Sequence, residues 1–333
     1  GTCWPCARRP RDGILAGAVG AGVASVTRAS ALHEDEVTIS DDLARTLVDE
    51  QFPQWRGLPL RRLAPLGTDN QLFRLGDDLL LRMPRIDWSA DAPVLEHAWL
   101  PRLAPLLPLS VPAPVALGTP GHGYPYPWTV APWLVGETVT GVHLGHPADN
   151  VDWTRLAVDV AGFLVTLRGL DATDAPRKPS GSRGAALTDC DGWVREWTQR
   201  AGTRVDGPAV LAAWEESLAV AGWSHAPASL HADIHEGNLL VRDGTVRAVI
   251  DWGGLGAGDP AVELNAAWGF LPPSAVGAFR EAMGLDEDAW LRGRGWALIP
   301  AISGLVYYER NAPTMARLAA RTIERIVSDR RAS

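Results

Sequence analysis

The stretch Ser229-Leu230-His231-Ala232-Asp233-Ile234-His235-Glu236-Gly237-Asn238-Leu239-Leu240 sets an Asp and an Asn five residues apart in a polar loop leading into an apolar run. A carboxylate at Asp233 can take the proton of an incoming hydroxyl. An amide oxygen at Asn238 can hold a magnesium ion that bridges phosphates, and phosphoryl transfer needs both. Thirteen residues past Asn238, Asp251 ends the next apolar run, and Asp243-Gly244 between the two runs is a hairpin signal. A hairpin brings its ends together, so Asn238 and Asp251 are expected to face one metal ion, with Asp233 as the base beside it.

The elements that must position these residues follow from the hydrophobic periodicity. Ser40 is a good cap for a helix over residues 41–50, with Leu43, Leu47 and Val48 on one face and Pro53 as its stop. Strands are predicted over residues 60–66, 71–75 and 79–83, the last two joined by the turn Gly76-Asp77-Asp78. A helix over 92–107 follows, then a Pro-rich strand over 111–117 and an apolar run over 128–134. Beyond Gly136 the pattern turns helical, at 153–170, 191–201, 208–221, 260–270, 274–283, 287–308 and 313–328. Only the runs 239–242 and 246–251, where the polar motif sits, interrupt it with strands. This order predicts an α+β chain of two lobes: residues 32–134 as a small antiparallel-sheet lobe that binds nucleotide, and 135–333 as a large helical lobe with the polar loop and the acceptor pocket.

The polar motif resembles that of the aminoglycoside phosphotransferase family, whose members share the two-lobed protein-kinase-like fold and include macrolide phosphotransferases. The family's loop reads His-Gly-Asp-Leu-His-x-Gly-Asn. This chain keeps His231, Asp233, Gly237 and Asn238 and places Ala232 and Ile234 at two of the other positions. The resemblance runs from about Leu32 onward and includes Gly258-Asp259-Pro260-Ala261, where Asp259 also reads as the cap of a helix starting at Pro260.

The resemblance implies an ATP-dependent (alternatively GTP-dependent) kinase with Mg2+. Asp233 would be the catalytic base, Asn238 and Asp251 the metal ligands, and His231 a prop for the loop. It places Arg82 where kinases carry a phosphate-pairing lysine, with Glu96 orienting it, and Arg74 and Arg85 as alternatives. Arginine keeps the charge and can hold two oxygens at once. Thr68, in Gly67-Thr68-Asp69-Asn70, falls where a loop covers the phosphates. Main-chain groups of Ala131, Trp133 and Leu134 fall at an adenine-binding hinge. The acceptor is expected to be a hydroxyl of a small molecule, an aminoglycoside-type antibiotic first, with a macrolide or a small amino alcohol or sugar amine as alternatives. A catalytically silent kinase-like binding module is the reading from another class.

Composition sets the outer limits. With Lys+Arg 31 against Asp+Glu 39 the net charge is −8, and no long basic run offers a nucleic-acid footprint. Three cysteines in 333 residues argue against a disulfide scaffold. Lys178 is the sole lysine, so fixed cations must be arginines. Acidic residues after the metal motif (Glu263, Glu281, Asp286, Glu287, Asp288) either collect a polycation or form a solvated helical face. Residues 1–31 imitate a secretory signal poorly and read as a disordered extension, and the Cys3-Trp4-Pro5-Cys6 spacing lacks the strand and helix of a redox motif. The expectation is a cytoplasmic protein, monomeric or weakly dimeric, that binds neither membrane nor nucleic acid.

Overall fold

The structure is a computed structural model that describes residues 36–63, 69–139, 151–310 and 312–332. The expectations for residues 1–31, the Cys3/Cys6 pair and Thr68 lie outside the described residues.

The first part of the chain builds a five-stranded antiparallel sheet in the order β1-β2-β3-β5-β4, from β1 (Leu60–Arg62), β2 (Asn70–Leu75), β3 (Leu79–Pro84), β4 (Ala116–Gly118) and β5 (Trp128–Pro132). The β2–β3 hairpin pairs Leu75 with Leu79 and Leu72 with Arg82 across the expected turn, where Gly76 adopts φ 59°. Alternation along β2 and β3 buries Phe73, Leu75, Leu81 and Met83 against Leu47 and Val48 of helix α1 (Asp41–Gln51). Ser40 caps α1, accepting from the Leu43 N–H at 3.1 Å. The same alternation turns Arg82 to the face opposite this core.

Helix α2 (Ala92–Leu103) carries Glu96 and stops short of the expected residue 107, tightening into a 3-10 turn at Ala104–Leu106. Pro101 and Pro105 each lack an N–H for the helical ladder. The expected strand over 111–117 shrinks to β4, because Pro112 and Pro114 have no donors to pair and only Val115 N–H reaches across, to Val130 O at 2.8 Å.

The larger part is helical. Helices α3 (Trp153–Arg168), α4 (Asp191–Ala201), α5 (Gly207–Ala219), α6 (Ala266–Gly269), α7 (Pro273–Met283), α8 (Glu287–Tyr307) and α9 (Pro313–Ala332) pack into one core. Helix α8 is its axis: from Ala289 to Leu305 most side chains are buried, so it shows no polar stripe. The expected helix over 260–270 is a 3-10 segment (Pro260–Asn265) followed by α6.

Two small sheets interrupt the helices. Strand β6 (Glu137–Thr138) pairs with β8 (Leu239–Arg242), which pairs with β9 (Thr245–Val249), while β7 (Ala228–Leu230) pairs with β10 (Gly256–Gly258). Strands β6, β7 and β10 are too short to leave a periodic signal in the sequence. They frame the polar loop on both sides.

Candidate active site

The β8–β9 hairpin aligns Leu239 with Val249, which sets Asn238 and Ile250 side by side just beyond the ladder. Both main-chain groups of Ile250 are held by the polar loop: its N–H donates to Asn238 O at 2.9 Å, and its carbonyl accepts from His231 Nε2 at 3.1 Å. Asp251 is the next residue. Its position is therefore fixed to the loop that carries Asp233, as expected of a hairpin between them.

His231 is fully buried, and its Nδ1 accepts from the Asp233 N–H at 3.2 Å while Nε2 donates to Ile250. These two bonds define a neutral tautomer. Burial pushes the imidazole down to about 4, although the charges of Asp233 and Asp251 oppose the shift, so it props the loop uncharged. Trp252 packs edge-on against it with ring centroids 4.8 Å apart.

Beneath the loop, Glu263 Oε1 accepts from the N–H groups of both His231 (2.7 Å) and Ala232 (2.8 Å). Burial holds this carboxyl up at about 7 against the pull of those donors and of Lys178. Ala232 and Asp251 both take left-handed backbone, at φ 61° and 64°. Non-glycine residues there are strained, and the surrounding hydrogen bonds hold them in place. The strain sits on the two residues that aim the carboxylates.

Asn238, 5% exposed, donates from Nδ2 to Asp233 O at 2.9 Å. With Nδ2 spent on the loop, the amide oxygen is the atom left for a cation. Asp251 has a side chain 43% exposed, and its partial desolvation, which would raise its carboxyl, is outweighed by the Arg82 guanidinium beside it, which holds it below the usual carboxylate range. One ionised carboxylate and one neutral amide oxygen suit a hard divalent cation that keeps phosphate oxygens and water as its other ligands. Among the described residues no cluster of three or more His, Cys, Asp or Glu is placed to hold a metal ion.

Arg82 spans this site. Its Nη1 donates to Glu96, 2% exposed in α2, and its Nη2 to Asp251, while Asn70 Oδ1, turned toward it, accepts from Nε and Nη2 at 3.2 Å. Burial disfavours the guanidinium's charge, but the two carboxylates overcome this and raise its pKa. The guanidinium serves the two carboxylates through separate nitrogens. Arg74 is committed elsewhere, stacked over the Trp133 ring at 4.5 Å and donating to Asp77 O, and Arg85 pairs with Glu36.

At the end of β5, Ala131 pairs with Leu80 and Trp133 N–H donates to Asp78 O at 2.7 Å. The Trp133 N–H is thus spent within the sheet, whereas Leu134 lies one residue beyond that bond. Asp259 caps the 3-10 segment through Ala261 N–H at 3.0 Å and binds Arg292 Nε at 2.7 Å. Both side chains of that pair are buried, so Asp259 serves the framework.

Sequence reasoning missed Arg183, which donates from Nη1 to Asp233 Oδ1. It lies in the loop between α3 and α4, outside any motif. Tyr308, just past α8, is near enough to Asp69, Arg183 and Asp233 to feel their charges. Burial raises its hydroxyl pKa, Asp69 and Asp233 add to that, and Arg183 opposes it. The acidic residues singled out from sequence lie elsewhere: Glu263 is under the loop, Asp286 caps α8 and Glu287 pairs with Arg280. Asp286 and Tyr308 are separated by the 21 residues of α8, about 31 Å of helix.

The antiparallel sheet with its Arg82–Glu96 pair, set over a helical body with the Asp233 loop and Asp251, is the architecture of a kinase-like phosphotransferase. A family model described as the phosphotransferase enzyme family (APH) matches residues 61–296, and the chain belongs to that family. Among solved structures, the GDP and kanamycin complex of APH(2")-IIia superposes with a TM-score of 0.65 at 16% identity, covering 86% of this chain and 98% of that one. The macrolide 2'-phosphotransferase MphH from Brachybacterium faecium gives 0.54 at 22%, covering 85% and 97%. The ADP-bound aminoglycoside phosphotransferase APH(2'')-Ib gives 0.53 at 16%, covering 86% and 98%. At these identities the likeness is one of fold. No curated protein matches the chain. Among the described residues no helix is long and apolar enough to cross a membrane.

Proposed function

We propose that the chain transfers the terminal phosphoryl group of ATP to a hydroxyl of a small molecule. The observation that carries this reading is the double tether of Ile250, through Asn238 O and His231 Nε2, which sets Asp251 beside the Asp233 loop. Asp233 takes the hydroxyl proton as the acceptor oxygen attacks the terminal phosphorus, whose bond to the β,γ-bridging oxygen breaks as ADP leaves. Asn238 Oδ1 and the Asp251 carboxylate would hold Mg2+, which would neutralise phosphate charge. Arg82, positioned by Glu96, holds the phosphates, and the main chain from Ala131 to Leu134 receives the adenine edge, with Leu134 rather than Trp133 supplying the N–H. Residues up to about 134 form the nucleotide lobe, and those from 135 the lobe with the acceptor pocket. GTP is the alternative donor, as GDP and ADP complexes both occur among the structural neighbours.

An aminoglycoside-type antibiotic is the first acceptor to test, and phosphorylation would inactivate it by adding about two negative charges. One observation favours a second reading: the base is paired with the Arg183 cation, and Asp286 and Glu287 lie at the start of α8, far from Tyr308 at its other end. That environment suits an acceptor uncharged around its reacting hydroxyl. In either case the enzyme works in the cytoplasm, where ATP is, as a monomer or weak dimer.

The test is a phosphate-transfer screen with Mg-ATP over kanamycin, erythromycin and small amino alcohols, with the phosphorylated position read by NMR. Nucleotide binding with no transfer to any hydroxyl would leave a silent binding module and end this reading.

A further inference from the structure

The loop between α3 and α4 is built rather than merely connecting. On one side of Arg183, Lys178 N–H donates to Ala257 O (3.1 Å), Ala257 N–H to Pro176 O (2.9 Å) and Lys178 Nζ to Gly254 O. On the other side, Asp259 N–H donates to Gly184 O at 2.8 Å, and Gly184 sits at φ 87°. The two main chains approach so closely that a Cβ on Gly258 would lie 2.1 Å from Gly184 O, and one on Gly184 would lie 2.6 Å from the Leu230 side chain. Between these anchors Ser182 turns back on Pro179, its N–H and hydroxyl both donating to Pro179 O. The loop is thus pinned to β10, and through it to β7, which leads straight into the Asp233 loop.

From this platform Arg183, whose side chain is 20% exposed, reaches Asp233 Oδ1 and approaches Ala232 O at 3.5 Å. An exposed arginine on a slack loop would make such a pair at no measurable gain, but an anchored and half-buried one fixes the carboxylate's rotation. Engaging one oxygen leaves Oδ2 to face the acceptor. We propose that Arg183 is the positioning residue of the base: it holds Asp233 by Oδ1 so that Oδ2 meets the acceptor hydroxyl, and its cation offsets repulsion between the carboxylate and the phosphates.

This assignment rests on the phosphotransferase reading and has its own test. Turnover of Mg-ATP is followed with kanamycin, with erythromycin and with water as acceptor, in wild type, Arg183→Ala, Arg183→Lys, Asp233→Asn and the double variant Arg183→Ala/Asp233→Asn. A misaligned base costs roughly a hundredfold, so Arg183→Ala is expected to lose about 10- to 100-fold in kcat with the KM for Mg-ATP within about twofold. Arg183→Lys should recover part of the loss, and so should free guanidinium added to Arg183→Ala. On the Asp233→Asn background, Arg183→Ala should cost nothing more, whereas a purely structural role would multiply the two losses. Wild-type kcat in Arg183→Ala, or losses that multiply, would overturn the assignment. Should Arg183→Ala not fold, Arg183→Lys with its double variant carries the same comparison. An Asp233→Asn variant with unchanged turnover removes Asp233 from the role of base and this assignment with it, whereas a wild type that turns over no nucleotide refutes the phosphotransferase reading itself.

Discussion

Arg82 donates to Asp251 with one arm of its guanidinium and to Glu96 with the other. The base of the sheet lobe is thereby fastened to Asp251 of the helical body, and both bonds come from one planar group. Truncating Arg82 should therefore be felt in stability as well as in nucleotide binding. Removing one partner of a buried pair strands the other, at a cost of about 3 kcal/mol or more. Arg82→Ala is expected to lower the thermal midpoint accordingly, and adding Glu96→Gln should recover part of that loss, both read by calorimetry. An Arg82→Ala protein as stable as wild type would mean that Glu96 is satisfied without it.

Asp233 and Asp251 should separate kinetically. Asp233→Asn is expected to lower kcat by roughly 10²- to 10⁴-fold with nucleotide affinity retained, because only the proton acceptor is lost. Asp251→Ala should instead weaken Mg-ATP binding itself, by about tenfold or more, in an isothermal titration. Equal loss of affinity in both variants would contradict this division of labour.

Glu263 gives a pH signature. Its carboxyl is held up at about 7 by burial, against 4.5 for an unburied glutamate, so between those values the folded protein binds a proton that the unfolded chain does not. The resulting stability is full below 4.5 and lost as pH rises through 7, about 3 kcal/mol in all. His231 runs the other way: at about 4 against 6.5, its contribution is present above 6.5 and lost as pH falls through 4. Glu263→Gln keeps an oxygen for the two N–H groups and removes only the first effect. From about pH 5 to about pH 8 the variant should gain roughly 2–3 kcal/mol relative to wild type in urea titrations. A constant difference would show that Glu263 stays ionised in the fold.

Two glycine-to-alanine changes should differ in sign. In Gly258→Ala the new methyl meets Gly184 O, a backbone atom that cannot swing aside, so a loss of about 1–3 kcal/mol is expected, with a fall in kcat as the Arg183 platform moves. Gly162 is exposed within α3, and a Cβ added there would have nothing within 4 Å, so Gly162→Ala should stabilise by up to about 1 kcal/mol. Urea midpoints of the two variants check the contrast.

Hairpins and long amphipathic helices were readable from sequence because their signals are local. The turns at Gly76 and Gly244, the cap at Ser40 and the period of residues 191–201 each reappear in the structure within a residue or two. The relationship of Asn238 to Asp251 was readable for the same reason, since one short ribbon joins them. Arg183 was not, because fifty residues and a helix pair separate it from Asp233, and no spacing rule links a lone arginine in a Pro/Ser/Gly loop to a carboxylate. Of the two readings of the acidic residues after the motif, the solvated helical face accounts for Asp286, which caps α8, and Glu287, which pairs with Arg280, while Glu263 is buried beneath the loop, where its sequence neighbourhood gave no sign of it.

The amine that supports Gly254 from Lys178 is the only side-chain amine in the sequence, and residue 82, which the proposed function sets at the phosphates, is an arginine. Acylating probes that label kinases through a lysine beside the nucleotide will find no such nucleophile at residue 82. The enzyme would therefore stay silent in an activity screen built on that chemistry, while a reagent selective for lysine amines would report on the footing of the Asp233 loop.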